Sequence, residues 1–176
     1  MRNFKWMGVD KKGFTLIELV IVVAVIGIIS AIALTALDPM TQFKKASDGK
    51  IKSDLAQMQR AFESYYEDNG RYPVSIDNKI ENLASGSPIN WGDPWTPYMD
   101  FLPKSPGDPD RTYIYFANSD GQTYFLYANL ERGAYDSQSC NGGETCASIV
   151  TNGISGTCGQ ENGGCNYAVT SSNVNP

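Results

Sequence analysis

Apolar residues run almost without interruption near the start of the chain. The stretch from Phe14 to Leu37 contains a single charged residue, Glu18. At about 1.5 Å of rise per residue, a helix of this length crosses a bilayer core of roughly 30 Å. The pattern therefore predicts a membrane-spanning helix at residues 14–37.

A second helical pattern follows, with apolar residues at three- and four-residue steps on one face. This stripe consists of Ile51, Leu55, Met58, Phe62 and Tyr65 or Tyr66. A short polar joint containing Gly49 precedes the stripe, and Asn69-Gly70 predicts the end of the helix. We assign residues 38–69 to the amphipathic half of a long helix, and this half needs a globular partner.

The partner predicted for the stripe is a β-hairpin at residues 111–132. Two segments rich in aromatic and branched residues, Arg111–Ala117 and Gln122–Leu130, flank a turn at Asn118–Gly121. One face of this hairpin would cover the helix stripe. The predicted fold is therefore α+β, a long N-terminal helix packed on a small antiparallel sheet.

Residues 70–110 contain seven of the nine prolines, so long regular elements are not expected there. We predict an irregular loop with a short helical turn at Asp77–Ala84. The segments Trp91–Trp95 and Phe101–Leu102 are expected to pin this loop to the sheet.

The region 133–176 has no Lys or Arg, is crowded with Gly, Asn, Ser and Thr, and contains all four cysteines, Cys140, Cys146, Cys158 and Cys165. This composition predicts a loop-rich region stapled by disulfides outside the cytoplasm. Three pairings are possible, and we favour the local ones, Cys140 with Cys146 and Cys158 with Cys165. A four-thiolate zinc site is the alternative, although its gaps would exceed the usual two to four residues.

Charge and composition narrow the classes of function. Without residues 1–13 the chain keeps ten basic and eighteen acidic residues, a formal net charge of about −8, so we expect no direct nucleic-acid binding by the monomer. The chain has no histidine, which excludes Ser-His-Asp triads, His-based zinc catalysis and the commonest general base. We therefore expect a protein that is not an enzyme.

Two ordinary interpretations of the apolar run fit less well. Ala31-Ile32-Ala33 would suit a signal-peptidase site, but the apolar run is longer than that of a secretory signal. A plain membrane anchor explains the length but not Glu18, because a carboxylate inside a bilayer is costly and usually marks function.

The motif Lys12-Gly13-Phe14-Thr15-Leu16-Ile17-Glu18-Leu19 resembles the class III signal of type IV prepilins and type II secretion pseudopilins. The resemblance implies that residues 1–13 are a leader, and that a membrane-embedded prepilin peptidase/methyltransferase cleaves between Gly13 and Phe14 and methylates Phe14. It also implies that Glu18, the fifth residue of the mature chain, pairs with the terminal amine of a neighbouring subunit during assembly.

A looser likeness extends to about Leu130. The layout Tyr65-Tyr66-x-x-Asn69-Gly70-x-Tyr72-Pro73, then Asp93-Pro94-Trp95, then a tyrosine-rich hairpin resembles the major pseudopilin of type II secretion. The resemblance implies a single-pass inner-membrane precursor with its leader in the cytoplasm, and a mature subunit in a periplasmic or cell-surface filament. The implied partners are further copies of the chain, the peptidase, an assembly ATPase with its inner-membrane platform, minor pilins or pseudopilins, and a secretin.

Two functions remain open at this point. The filament is either a short pseudopilus for protein secretion, which we favour, or a surface type IV pilus for adhesion, motility or DNA uptake. The disulfide-bonded region suggests the pilus, because an exposed loop can carry adhesive variation.

Metal binding and the bend of the helix also stay open. The resembling major pseudopilins bind Ca²⁺ in a loop of their C-terminal domain, and the candidate ligands here are Asp108, Asp110, Asp120 and Asp136. Aspartates in such contexts more often form turns. Thr35 stands where many family members have a proline, so Asp38-Pro39 is the alternative position for a bend at the membrane exit.

Overall fold

A computed structural model describes residues 13–36, 38–159 and 163–172. The chain divides into two compact units, Met1–Thr41 and Gln42–Pro176. The first unit contains helix α1 (Leu16–Ala36), and helix α2 (Pro39–Asn69) begins just before the boundary between the units. Residues 1–12 of the leader lie outside the described residues.

Helix α2 starts at the proline that the sequence offered as a bend position. Asp38 precedes it with a φ of 37°, a left-handed value that a helix does not contain. The Asp38 carbonyl and side chain both accept from the backbone N–H of Thr41, and Pro39 occupies the first helical position, where its missing N–H costs nothing. The helical backbone is therefore interrupted at Asp38.

The polar joint predicted around Gly49 is wrong, because Gly49 lies inside α2. A glycine in a helix costs about 1 kcal/mol relative to alanine. The burial of the neighbouring apolar stripe offsets that cost, since Ile51, Leu55, Met58 and Phe62 are all fully buried.

The short helical turn predicted at Asp77–Ala84 is also wrong. Strands β1 (Ser75–Ile76), β2 (Lys79–Asn82) and β3 (Ser87–Pro88) form a small antiparallel sheet there. Asp77 and Asn78 join β1 to β2 with φ values of 50° and 61°. Positive φ at both central residues is the conformation of a two-residue hairpin turn, and Asp and Asn adopt it more readily than most residues.

The predicted hairpin forms the centre of a second sheet. Strands β4 (Ile114–Ala117), β5 (Tyr124–Ala128) and β6 (Tyr167–Thr170) are antiparallel in the order β4-β5-β6. Leu126 pairs with Tyr115 on one side and with Val169 on the other. The third strand comes from the region that we expected to be loop-rich throughout.

This sheet is covered on both faces. On one face, the alternate residues Tyr115, Ala117, Tyr124 and Leu126 pack with the stripe of α2 and with Trp91, Trp95 and Leu102. On the other face, the intervening residues Ile114, Phe125, Tyr127 and Ala168 pack with Ile149 and three cysteines. Every residue of β5 is consequently buried. Phe101, which we expected to pin its loop, is instead exposed.

The second layer is the disulfide-bonded region. It contains 3-10 turns at Gly133–Tyr135 and Cys140–Gly142, and the short helix α3 (Ala147–Thr151). Tyr127 of β5 donates to the hydroxyl of Ser148 in α3. The chain thus folds as α+β with three layers, α2, the β4-β5-β6 sheet and the disulfide-bonded segment.

Candidate assembly site

The processing motif lies at the N-terminal end of α1. Gly13 and Phe14 precede the helix and are exposed, and Glu18 is an exposed residue of the first turn. The Thr15 hydroxyl accepts a hydrogen bond from the backbone N–H of Glu18, with N and O 3.2 Å apart. Thr15 therefore caps the helix at its third residue, as the spacing Thr-x-x-Glu favours. The carboxylate of Glu18 is thus fixed to a helix that begins beside the predicted cleavage point.

The large apolar side chains of helix α1 are exposed. Its large apolar side chains from Leu16 to Ile32 are between 49% and 82% exposed. Leu16–Ala33 is long and apolar enough to cross a membrane, and none of these residues is buried. A helix that is apolar all round requires lipid or other protein around it.

Helix α2, in contrast, carries buried carboxylates that bind other segments of the folded unit. The two oxygens of Asp48 accept hydrogen bonds from the backbone N–H groups of Glu131 and Arg132 at 2.8 and 3.0 Å. Asp48 is 7% exposed. A carboxylate that takes two backbone donors is well compensated for its loss of water.

Asp54 is the second buried carboxylate of α2. It lies 2.9 Å from the Lys50 ammonium and accepts a hydrogen bond from the Tyr113 hydroxyl at 3.0 Å. Burial, followed by the negative charge of Asp54, raises the pKa of Tyr113 above its ordinary value. Tyr113 therefore stays protonated and remains a donor to this carboxylate.

Our sequence analysis missed both of these aspartates. The available signal was spacing, because Asp48 and Asp54 fall at three- and four-residue steps from Ile51 and Met58 and so belong on the buried face. An acidic residue on a buried face implies partners in the facing segment.

The four calcium candidates do not come together as a site. Asp136 lies 2.6 Å from the Lys52 ammonium, and Asp108 lies 3.7 Å from that of Lys104. Asp120 accepts from the backbone N–H of Gln122, the turn-forming role that we weighed as the alternative. Among the described residues, no cluster of three or more His, Cys, Asp or Glu could hold a metal ion.

The Lys52–Asp136 pair connects α2 to the disulfide-bonded region. The hydrogen bond from Lys52 lowers the pKa of the Asp136 carboxyl from its ordinary value. The ammonium also lies 5.3 Å from the centroid of the Tyr167 ring in β6, within the range of a cation–π contact. Lys52 thus contacts both Asp136, at the end of the first 3-10 turn, and Tyr167 of strand β6.

All four cysteines are consumed in disulfides. The structure contains the two local pairs, Cys140–Cys146 and Cys158–Cys165. A disulfide sulfur is not a thiolate, so the four-thiolate zinc alternative does not describe this arrangement. The backbone N–H of Cys146 donates to the carbonyl of Cys165 and so links the two bridges.

The sequence matches two known protein families, and the two matches together cover nearly all of both helices and most of the core. Residues 10–34 match the prokaryotic N-terminal methylation motif, and residues 39–152 match type II secretion system (T2SS) protein G. Strand β6 and the Cys158–Cys165 disulfide lie beyond the second match. A search of solved structures found no match.

The individual relatives include type II secretion system core proteins and a type IV pilin. Type II secretion system core protein G of Klebsiella pneumoniae is 29% identical over 125 residues, covering 63% of this chain and 86% of the relative. The protein of the same name from Escherichia coli K12 is 27% identical over 133 residues, covering 72% and 78%. The type IV major pilin protein PilE of Neisseria gonorrhoeae is 40% identical over 84 residues, but this match covers only 47% of each chain.

Proposed function

Because this chain belongs to the type II secretion system protein G family, we propose that it is the major structural subunit of a pseudopilus, a pilin-like filament that serves protein secretion. One observation carries the proposal. The apolar side chains of helix α1 from Leu16 to Ala33 are exposed, and the helix precedes a folded unit that matches the family across α2 and the strands β4 and β5. Such a helix can be stored in a membrane and then packed against identical helices in a filament.

Processing would create the assembling form. We infer cleavage between Gly13 and Phe14 by a prepilin peptidase, followed by methylation of the new amine on Phe14. That amine would be positively charged in an apolar environment, where an unpaired charge is strongly unfavourable. Glu18 is the only acidic residue of α1, and it is the carboxylate available to pair with the amine of a neighbouring copy. The pairing would set the axial register of adjacent helices.

The energetics of transfer follow from the composition of α1. Lipid surrounds its apolar side chains before assembly, and apolar side chains of neighbouring helices surround them afterwards. Because both environments exclude water, the hydrophobic term is nearly balanced between them. The direction of transfer, from membrane to filament, would therefore be set by other terms. These are the pairing of Glu18, contacts between folded units, and an assembly ATPase acting through an inner-membrane platform.

The proposed partners and location follow from this assembly. The precursor is a membrane-anchored protein like type IV pilins, and we place its leader in the cytoplasm and its folded unit outside. Minor pseudopilins would start the filament, and a secretin in an outer membrane would receive the secreted protein. The folded unit would form the outer surface of the filament.

The direct experiment compares Glu18→Ala with wild type in cells that make the full precursor. We expect the variant to enter the membrane at the wild-type level and to form no filaments, because the amine of Phe14 then has no partner. Immunogold electron microscopy with antibody to the folded unit measures filaments, and membrane fractionation measures insertion. The matched control is Glu144→Ala, which removes an exposed carboxylate from the disulfide-bonded region. Normal filaments from Glu18→Ala would refute the assembly role.

A type IV pilus is the second candidate, favoured by the 40% identity to the Neisseria pilin over 84 residues. The same microscopy separates the two. Label confined to the envelope, together with a secretion defect when the protein is deleted, supports the pseudopilus. Long labelled surface filaments with normal secretion support the pilus.

A further inference from the structure

A small pocket is formed by the early turns of α2 and the first 3-10 turn of the disulfide-bonded region. It has a volume of about 220 Å³, and its lining includes Lys45, Asp48, Lys52, Arg132, Tyr135 and Asp136. The lining carries three cations and two carboxylates, and all of them belong to the Gln42–Pro176 unit. The contacts that these charges already make decide which of them can bind a further group.

Both carboxylates of the pocket already accept hydrogen bonds at each oxygen. Asp48 accepts from two backbone N–H groups, as described above. One oxygen of Asp136 accepts from the Lys52 ammonium at 2.6 Å, and the other accepts from the backbone N–H of Gln138 at 2.9 Å. Lys52 and the two carboxylates are therefore compensated inside the unit.

The other two cations of the pocket, Lys45 and Arg132, are not part of this arrangement. The ion pairs between described residues include neither of them. The Arg132 guanidinium lies 5.4 Å from the centroid of the Tyr135 ring, a cation–π contact that engages the face of the guanidinium and leaves its N–H edge for acceptors. A guanidinium and an ammonium lining one pocket are suited to the oxygens of a phosphate group.

The chain keeps this pocket close to the end of the membrane-spanning helix. Lys45 follows Ala36, the last residue of α1, by nine residues, and residues 39–45 of that stretch are helical. Chain length therefore limits the distance between Lys45 and Ala36 to roughly 20 Å. Phospholipid headgroups form a layer roughly 5–8 Å thick outside the hydrocarbon core. A phosphate source of this kind is consequently within reach of the pocket whenever α1 spans a membrane.

The charge of this part of the chain also favours an anionic surface. Ten basic and seventeen acidic residues follow α1, yet four of the basic residues fall within residues 44–52, where Asp48 is the one acidic residue. An acidic unit is repelled by anionic lipids except where its cations cluster. Tyr135 is 83% exposed, and tyrosine is enriched where proteins meet headgroups.

We propose that the pocket binds the phosphate of an anionic phospholipid in the membrane that holds α1, with Lys45 and Arg132 as donors and Tyr135 in the headgroup layer. The proposal rests on the membrane-anchored precursor of the proposed function, and it applies to a pseudopilin and to a pilin alike. The bound lipid holds one corner of the folded unit at the membrane surface. It is released when the subunit leaves the membrane for the filament.

Lipid titration of the detergent-solubilised full chain, read by native mass spectrometry, tests the site. We expect dimyristoylphosphatidylglycerol to bind at least about fivefold more tightly than dimyristoylphosphatidylcholine, whose headgroup has no net charge. Lys45→Gln/Arg132→Gln should remove that preference. The control Arg60→Gln/Lys104→Gln removes two exposed cations elsewhere in the unit and should keep it. Equal affinity for the two lipids in wild type, or equal losses in the two double variants, would overturn the site.

Inorganic phosphate in the same titration separates a lipid site from a site for the free ion. At a concentration equal to that of the lipid, it should leave phosphatidylglycerol bound, because the acyl chains hold the headgroup beside the protein. Displacement of the lipid under these conditions would overturn a phospholipid as the occupant.

A spin label tests where the pocket lies when the full chain is in nanodiscs that contain phosphatidylglycerol. The described cysteines are all in disulfides, so a single introduced cysteine takes the label. Ser137→Cys, exposed beside the pocket, should broaden the phosphorus resonance of the lipid. Asp68→Cys, also exposed, lies about 35 Å farther along α2 than Lys45 and should broaden it much less. Equal broadening from the two labels would overturn the location.

The lipid site and the proposed function fail separately. Loss of the lipid preference in wild type, with filaments that require Glu18, would overturn the site alone. Wild-type cells without filaments would overturn the proposed function, whereas the lipid measurements on the isolated chain would still decide the site.

Discussion

Asp48 shows how a single carboxylate can hold a helix to a sheet. It accepts the backbone N–H groups of two consecutive residues just after β5, where the chain leaves the sheet and has no strand partner. Backbone donors buried without a partner cost about 1–3 kcal/mol each. Asp48 therefore fixes both the start of the folded part of α2 and the direction in which the chain leaves β5.

We predict that Asp48→Ala lowers the free energy of unfolding by roughly 2–4 kcal/mol, because two backbone donors lose their acceptor. Asp48→Asn should cost less, since one side-chain oxygen remains. The measurement is thermal unfolding of the detergent-solubilised mature chain followed by tryptophan fluorescence, since Trp91 and Trp95 are both buried in the core. Asp68→Ala, at an exposed position of the same helix, is the control and should stay within about 0.5 kcal/mol of wild type. Equal effects from Asp48→Ala and Asp68→Ala would contradict the role of Asp48.

The Lys52–Asp136 pair gives the molecule an acid-sensitive contact. The pKa of Asp136 is lowered in the folded state, so its contribution to stability is present above the ordinary carboxyl range near pH 4 and is lost as the pH falls through the lowered value. We predict that wild type loses about 1 kcal/mol or less from this pair between pH 7 and pH 2. Lys52→Met should remove that part of the pH dependence.

The readout for this pair is the difference in unfolding midpoint between pH 7 and pH 2, compared in wild type and Lys52→Met. Lys79→Met serves as the control, because Lys79 bonds to the amide of Asn90 and to no carboxylate among the described contacts. The same pH dependence in Lys52→Met and wild type would show that the pair does not contribute.

The elements differ in how far the sequence predicts them. The stripe of α2 and the strands β4 and β5 were predicted because their periodicity reflects the packing of one face against another. Strands β1 to β3 were missed because each has only two to four residues, too few for an alternation to emerge. Their hairpin depends on left-handed backbone at Asp77 and Asn78, a signal that we did not weigh.

Strand β6 was missed for a different reason. Its residues Tyr167–Thr170 have good strand composition, but they lie among glycines and asparagines and have no sequence neighbour with which to form a hairpin. The pairing with β5 spans a long stretch of chain, and local patterns do not report such pairings. We therefore also missed that β6 completes the sheet and contributes to the second core.

We predict that Ala168→Asp disrupts this second core. Ala168 is buried between β5 and the disulfides, and an unpaired carboxylate there should cost roughly 3–5 kcal/mol. Tryptophan fluorescence gives the unfolding midpoint, and gels without reductant report disulfide formation. Ser172→Asp introduces the same charge at an exposed position two residues after the strand and should leave both unchanged. A stable Ala168→Asp protein would show that β6 is dispensable.

At the scale of the whole molecule, two covalent bridges hold the C-terminal region. The two disulfides close short loops, with sequence separations of 6 and 7, and loop-closure entropy makes each worth roughly 2–3 kcal/mol. Three of the candidate aspartates make contacts to lysines or to backbone N–H groups. We therefore predict that the stability of the folded unit depends on oxidation of these cysteines.

The corresponding prediction uses two reagents on one protein. Reductant should lower the unfolding midpoint of the solubilised mature chain by 10 °C or more, since several kcal/mol are lost and about 1 kcal/mol shifts the midpoint by 2–8 °C in domains of this size range. A calcium chelator should leave the midpoint unchanged. A chelator-induced fall that added calcium reverses would establish a calcium site despite the separation of the aspartates.

The position of β6 in the sequence orders the events of biogenesis. In the orientation proposed above, α1 enters the membrane first and β6 follows the second disulfide, so β5 would keep an open strand edge until the disulfide-bonded region had left the reducing side of the membrane. Open edges invite pairing with other chains. In the proposed assembly, export and oxidation would therefore act as a checkpoint: a copy would join the filament after β6 has paired with β5, and an incomplete copy would be a substrate for proteases and chaperones.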